Sequence, residues 1–147
     1  MLLPHRPRRA VNFGGNSSKG TELEVFKDRK ARLNLALIRS LFSESPQTTK
    51  TLLKQITRQK RLSGTYYASL NKRLNNLMEL GYVGKAKPKA NEPNAQAYEL
   101  LPKGYLAFFL HSYSMQEILD RATDAQTAHI LLVLLNVVLD ENDKNDS

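Results

Sequence analysis

The stretch 63–83, SGTYYASLNKRLNNLMELGYV, decides the fold of this chain. Leu70, Leu74 and Leu77 recur at the i, i+4 and i+7 spacing of one helix face. A glycine follows at position 81, where helices commonly end in a left-handed residue, so the pattern predicts a helix over about 65–80. With the leucines turned inward, helical geometry turns a mostly polar set outward, namely Thr65, Ala68, Ser69, Lys72 and Asn76, with Arg73 on the flank.

The segments before this helix predict two more helices. Thr21 is expected to cap a first helix that runs to about Phe42, with an apolar stripe built on leucines four residues apart. Pro46 ends that helix, because proline disfavours a helical residue before it. Thr48 or Thr49 then caps a short second helix, and a polar, basic turn leads to the helix of 65–80.

The segments after this helix predict a hairpin and further helices. Residues 82–87 and 95–101 have strand patterns and are separated by a loop rich in proline and asparagine. Pro102 opens an apolar helix. Ser114 and Glu117 have the spacing of a capping box, so another helix starts near Met115. It pauses near Thr123, where the same spacing recurs, and continues to about 140.

Composition and charge limit the classes of function. The 147 residues are 41% hydrophobic, enough for a real core, and contain no cysteine for disulfides or thiolate metal sites. Residues 1–104 carry 20 basic and 7 acidic side chains, whereas residues 105–147 carry 2 and 7. This asymmetry indicates a front that binds a polyanion and an acidic back. The N-terminus lacks the apolar core of a secretory signal, and the apolar run 130–139 is far shorter than the roughly 18 residues of a membrane span. We therefore expect a soluble, cytoplasmic protein.

Two motifs carry a resemblance to a known family. At 69–83, SLNKRLNNLMELGYV, and at 98–104, YELLPKG, the chain resembles winged helix-turn-helix regulators of the MarR, PadR and ArsR type. In that family the recognition helix ends in a Leu-x-x-x-Gly-Leu/Tyr-Val-like sequence, and the second wing strand closes with a Tyr-x-Leu-Thr-x-Lys-Gly-like sequence. The resemblance covers about residues 33–110, and it departs at Leu101, where the family has a capping threonine. It implies a mainly α fold with a small β-hairpin wing (α+β), a winged helix-turn-helix, followed here by a C-terminal dimerisation helix.

Candidate DNA-binding residues follow from this arrangement. An α-helix fits the major groove, where base edges present distinguishable donors and acceptors, and residues 65–76 contain no acidic side chain. We expect Tyr66 and Tyr67 to reach the backbone or thymine methyl groups, with one of the pair packed inward. The wing lysines suit a flanking groove or backbone, but they are also typical protection for an exposed edge strand. The full set is Lys50, Lys54, Lys60 and Arg61 as phosphate contacts, Thr65, Tyr66, Ser69, Lys72, Arg73 and Asn76 on the helix, and Lys85, Lys87 and Lys89 on the wing.

The stretch 130–139, ILLVLLNVVL, is apolar on every side and must be covered on every side. A second copy of the same helix would cover it and make a two-fold dimer suited to a palindromic site, with Asn136 fixing the register. The alternative is a helix folded back onto its own domain. The predicted dimer interface is Ile130, Leu131, Leu134, Leu135 and Val138.

These predictions divide the chain into four parts. Residues 1–20 are expected to form a flexible basic tail, either an arm along DNA or a solubilising segment. Residues 21–110 form the winged-helix DNA-binding domain, residues 114–140 the helical dimerisation segment, and residues 141–147 a frayed acidic tail.

An enzymatic function is not expected. The chain has no glycine-rich phosphate loop, G-x-S-x-G or paired-carboxylate motif, and His5, His111 and His129 lack metal-ligand spacing, so no cofactor or metal is predicted. The leading hypothesis is a homodimeric transcriptional regulator that binds double-stranded DNA sequence-specifically and has no membrane partner. Replication or partition of a plasmid or virus, chromatin-like coating, and a winged-helix protein-interaction module remain open. The aromatic set Tyr105, Phe108, Phe109 and Tyr113 fits a small-molecule effector pocket or simple core packing.

Overall fold

The computed structural model describes residues 20–87, 91 and 93–145. The expected basic tail, 1–20, lies outside this part of the chain except for Gly20. The elements follow the predicted order of helix, helix, turn, helix, hairpin and further helices. They are α1 (Ala31–Ser43), β1 (Gln47–Thr48), α2 (Thr49–Thr57), α3 (Tyr67–Glu79), β2 (Val83–Ala86), β3 (Ala97–Leu100), α4 (Pro102–Ser112), α5 (Met115–Arg121) and α6 (Asp124–Asn145).

The start of the chain differs from the prediction of a long first helix capped by Thr21. Two 3-10 turns, Glu24–Phe26 and Asp28–Lys30, precede α1. Asp28 has a φ of 66°, a left-handed conformation that interrupts a helix. The Thr21 amide donates to the carbonyl of Leu110 at 2.8 Å instead of starting a helix. This segment therefore packs on α4 and α1 in place of extending α1.

The sheet has three strands, where the sequence predicted two. Its order is β1-β3-β2, with both pairs antiparallel, and Gln47 lies opposite Tyr98. A two-residue strand is too short to show the alternation of polar and apolar residues, so the sequence did not predict β1. Thr48 caps α2 as expected, since its hydroxyl accepts from the Thr51 amide at 3.2 Å.

The end of α3 is as predicted. Gly81 has a φ of 84° and its amide donates to the Met78 carbonyl at 3.0 Å, while the Tyr82 amide donates to the Leu77 carbonyl at 2.9 Å. These two bonds form a Schellman motif, which satisfies the last carbonyls of the helix. The Lys103 ammonium adds a third bond to the Leu80 carbonyl at 2.7 Å and lies 4.7 Å from the centre of the Tyr82 ring.

Helix α4 begins without the threonine that caps this helix in the regulators that the sequence motifs resemble. Leu101 has no side-chain cap, but Pro102 takes the first helical position, where its missing amide costs nothing. The amides of Gly104 and Tyr105 both donate to the Leu101 carbonyl, at 2.8 and 3.1 Å. A Cβ at position 104 would lie 2.4 Å from the Tyr82 carbonyl oxygen, so glycine allows α4 to approach the wing.

The core lies between α1, α2, α3 and the sheet. Its fully buried members include Leu37, Ile38, Leu41, Leu52, Ile56, Leu70, Leu74, Leu77 and Val83. Because all three leucines of α3 point into this core, the opposite side of α3 must face solvent.

The C-terminal helices extend away from this core. Thr123 and Gln126 form the predicted capping box, with amide-to-side-chain bonds of 3.0 and 3.2 Å in the two directions. Helix α6 runs to Asn145, past its predicted end at 140 and into the segment expected to be frayed. Every residue from 128 to 140 is exposed, and no described helix or strand packs along α6, so the fold-back alternative is wrong. None of the helices in the described ranges is long and apolar enough to span a membrane.

Candidate nucleic-acid interface

The outward side of α3 is the centre of the candidate interface. Ala68, Ser69 and Lys72 are exposed, and Asn76 is half-buried, opposite the buried leucines. Thr65, half-buried, precedes the helix, which begins two residues later than predicted. Asn75 is also exposed and was missed by the sequence pattern, although helical geometry places it beside Ala68 and Lys72.

The start of α3 corrects one prediction. Neither tyrosine packs inward: Tyr66 is 75% exposed and Tyr67 is 55% exposed. Leu70 is the first inward residue of α3, so the turn before it projects past the edge of the core. Tyr66 is the N-cap residue, with extended backbone angles and no side-chain cap.

Arg73 lies deeper than a flank position suggested. Its side chain is half-buried, and its Nη1 atom is buried without a hydrogen bond within the described residues. Part of the guanidinium is thus turned away from any partner that approaches the outward side of α3.

The basic residues beside α3 are exposed as predicted. Lys50 and Lys54 lie on α2, and Lys60 and Arg61 lie on the 3-10 turn Lys60–Leu62 that leads toward α3. Arg58, at the end of α2, is a further exposed cation that the sequence analysis missed, although it lies in the same basic stretch. Residues 45–78 contain seven basic and no acidic side chains. The surface that joins α2, the turn and α3 is therefore positive, and its one carboxylate, that of Glu79, lies at the C-terminal end of α3.

The wing extends this positive surface. Lys85 and Lys87 are exposed, and Lys89 lies outside the described residues. Val83 and Lys85 share one face of β2, with Val83 in the core and Lys85 beyond it. Because β2 is an edge strand of the sheet, Lys85 can both protect the edge and contact a partner.

Thr49 of α2 and Tyr67 of α3 both lie close enough to Tyr98 of β3 to influence its pKa. Tyr98 of β3 is buried, and this burial raises its pKa. A hydrogen bond with the Thr49 hydroxyl opposes the rise, and the nearby Tyr67 phenol adds to it. The Tyr98 phenol is therefore neutral at physiological pH and adds no negative charge to the positive surface.

The predicted dimer residues lie on an uncovered helix. Nine apolar residues of α6, 130–139 without Asn136, are each 38–57% exposed. The outer side of the two preceding helices is also apolar and exposed, at Tyr105, Leu106, Phe109, Met115 and Leu119. Of the aromatic set, Phe108 packs on the core, whereas Phe109 contacts Tyr113 with ring centres 4.8 Å apart.

The described residues contain no group of three or more histidine, aspartate or glutamate side chains placed to hold a metal ion. No protein-family model matches the chain. No curated protein matches it either.

Several solved structures are similar to this one. Wild-type MarR from E. coli in its apo form is 19% identical, with 75% of this chain and 78% of that chain covered and a TM-score of 0.45. The PcaV transcriptional regulator of Streptomyces coelicolor in complex with its natural ligand is 15% identical, with 72% of both chains covered and a TM-score of 0.44. FabT of Streptococcus pneumoniae in complex with DNA is 17% identical, with 81% and 82% covered and a TM-score of 0.41. The chain is similar to these structures over most of its length, at sequence identities below 20%.

Proposed function

We propose that this protein is a transcriptional regulator that binds double-stranded DNA sequence-specifically as a homodimer, with α3 in the major groove. The observation that carries the proposal is the positive surface formed by α2, the turn and α3, in which residues 45–78 carry seven basic and no acidic side chains. A helix of this width fits the major groove, and hydroxyl, amide and ammonium groups are those that recognise base edges. In this proposal residues 21–110 bind DNA, residues 114–140 dimerise, and the protein acts in the cytoplasm by binding rather than by catalysis.

The candidate residues divide between two roles. Phosphate contacts set position without sequence information, and base contacts give specificity. We assign the base edges to the exposed side chains of α3, including Ser69 and Lys72, and the flanking backbone to the wing lysines. The phosphate contacts are Lys50, Lys54, Arg58, Lys60 and Arg61.

Dimerisation supplies the cover that α6 lacks. The nine exposed apolar residues are each 38–57% exposed, and a stable interface commonly buries about 800 Å² on each side. The α6 helix of the partner can cover only one side of α6. In this proposal the apolar outer side of the partner's α4 and α5 covers another side. No described helix or strand packs along α6, so in this proposal the partner copy supplies these contacts. The proposed interface contains Ile130, Leu131, Leu134, Leu135 and Val138.

Fluorescence anisotropy with duplex DNA at several salt concentrations tests the proposal. Eight cations are exposed on α2, the turn, α3 and β2 or directly after these elements in each protomer. If half of them contact phosphates, a dimer neutralises eight, and the slope of log K against log salt is about −7. Lys54→Glu should weaken binding, whereas Lys27→Glu should not, because Lys27 lies outside this surface and near Glu24. Absence of binding to any duplex at low salt would refute the proposal.

A protein-interaction module is the second candidate, and the uncovered apolar surface of α6 is the observation that favours it. Light scattering on the full chain separates the two. A dimer supports the regulator, whereas a monomer that keeps α6 exposed supports docking of a different protein. A replication, partition or coating role keeps DNA binding, and selection from a random duplex pool without any enriched motif would favour coating.

A further inference from the structure

Three consecutive residues at the start of α3 present apolar surface to solvent. The rings of Tyr66 and Tyr67 and the methyl group of Ala68 are all exposed, and none of them contributes to the core. They adjoin the positive surface formed by α2 and the turn. Folding stability alone gives no reason for two exposed aromatic rings beside so many cations, but an apolar group attached to a polyanion would contact both.

The thymine 5-methyl is such a group. Among the base edges in the major groove, only thymine presents a methyl, and apolar side chains contact it. In helix-turn-helix proteins the N-terminal residues of the recognition helix are those that reach the base edges. The three apolar residues occupy that position in α3.

The remaining outward residues of α3 favour the same base pairs. Asn76 has the amide that pairs with the N6 and N7 atoms of adenine, and Asn75 offers a second amide nearby. Arginine is the commonest partner of guanine, but Nη1 of Arg73 is buried, so this side chain is not free to present both Nη atoms to a base. Lys72 is therefore the one exposed cation of α3 that suits guanine.

We infer that α3 recognises an A·T-rich stretch of the major groove, with Tyr66, Tyr67 and Ala68 against thymine methyl groups. The inference rests on the proposed function and adds the chemical class of the target.

Replacement of thymine by uracil tests the inference, because it removes the methyl group and leaves base pairing intact. The full chain is first used to select duplexes from a random pool, and A·T pairs are expected at the enriched positions. The selected duplex is then made with uracil at one thymine at a time. Each contacted methyl should be worth about fourfold in affinity.

Two variants of Tyr66 separate contact with the methyl from contact with the backbone. Tyr66→Phe keeps the ring and should keep the preference for thymine over uracil, whereas Tyr66→Ala should lose it at one position or more. Both variants should retain the salt dependence of the wild type, since neither changes a charge. Tyr67→Phe and Tyr67→Ala form a second matched pair.

The contrary outcomes are distinct. Enrichment of G·C pairs, or equal affinity for thymine and uracil duplexes, overturns the inference and leaves DNA binding intact. If Tyr66→Phe weakens binding to all sequences as much as Tyr66→Ala, the hydroxyl contacts phosphate and the inference is wrong. If no duplex binds at low salt, the proposed function fails, and the inference fails with it.

Discussion

Replacement of Gly104 by alanine is expected to loosen the corner where α4 meets the wing. The new Cβ would lie 2.4 Å from the Tyr82 carbonyl oxygen and 2.4 Å from Cδ1 of Leu100. The leucine can rotate, but the carbonyl belongs to the backbone that follows the Schellman motif and cannot move alone. The clash therefore displaces α4 from the wing.

The magnitude follows from two opposing effects. Overpacking of a well-packed site costs about 1–3 kcal/mol, and the rigid carbonyl places this case near the upper end. Alanine is a better helix former than glycine by up to about 1 kcal/mol, which offsets part of the cost. We expect a net loss of about 2 kcal/mol in the free energy of unfolding, or roughly 5–10 °C in Tm.

Urea unfolding followed by circular dichroism measures this loss, and two other glycines supply graded controls. A Cβ at position 64 meets nothing within 4 Å, so Gly64→Ala should be neutral or slightly stabilising. At position 84 the nearest atom is Cδ2 of Leu101 at 3.0 Å, a side chain that can yield, so Gly84→Ala should lie between the two. Equal midpoints for the Gly104 and Gly64 variants would refute the reasoning.

Three further predictions concern pH, dimerisation and the wing. Burial, with the charge of Arg39 added, lowers the pKa of His111, so the folded chain binds fewer protons than the unfolded chain below about pH 6.5. The free energy of unfolding should therefore fall as the pH falls through that value. Urea midpoints measured at several pH values should depend less on pH for His111→Gln than for the exposed control His129→Gln. Leu134→Glu should give a monomer by light scattering with weakened binding to a palindromic duplex, whereas Asp140→Lys should stay dimeric; a dimeric Leu134→Glu would contradict the interface. Lys87→Ala should weaken all duplexes about equally and reduce the salt slope by about 1, whereas Lys72→Ala should change the preferred sequence in a selection experiment; the reverse pattern would exchange their roles.

Local patterns predicted the parts of the fold that local interactions determine. The leucine spacing of α3, the left-handed Gly81 and the Thr48 cap each depend on a few neighbouring residues, and all three are confirmed. The same kind of rule failed at Thr21, because its amide is taken by Leu110, a residue 89 positions away. Strand β1 also depends on a distant partner, since it pairs with β3 across the whole of α2 and α3. Such long-range contacts leave no periodic trace in the sequence.

The sequence likewise predicted only part of the candidate site. Helical geometry identified which side of α3 faces outward, but not where the core ends along the helix axis. Because the core ends before the first turn of α3, Tyr66 and Tyr67 are exposed, and part of Arg73 is buried. The apolar stretch of α6 predicted the need for cover, and the structure adds a second uncovered apolar surface on α4 and α5.

The two ends of α3 are held very differently, and this leads to a last prediction. The C-terminal end is satisfied by the Schellman motif and the Lys103 ammonium, whereas the N-terminal end has Tyr66 as its cap residue and no side-chain cap. Serine is among the preferred residues at an N-cap, and its backbone angles there are those that Tyr66 already has. Because Tyr66 is 75% exposed, its loss removes little packing.

Tyr66→Ser should therefore raise the free energy of unfolding by about 1 kcal/mol and at the same time remove the preference for thymine over uracil. Urea unfolding and anisotropy on the same preparation measure the two effects together. A variant that is more stable and still discriminates would show that the ring does not contact the methyl group. A variant that is less stable than the wild type would show that the ring of Tyr66 packs against the folded chain. A gain in stability with a loss of discrimination would mean that Tyr66 contacts DNA at the expense of helix capping.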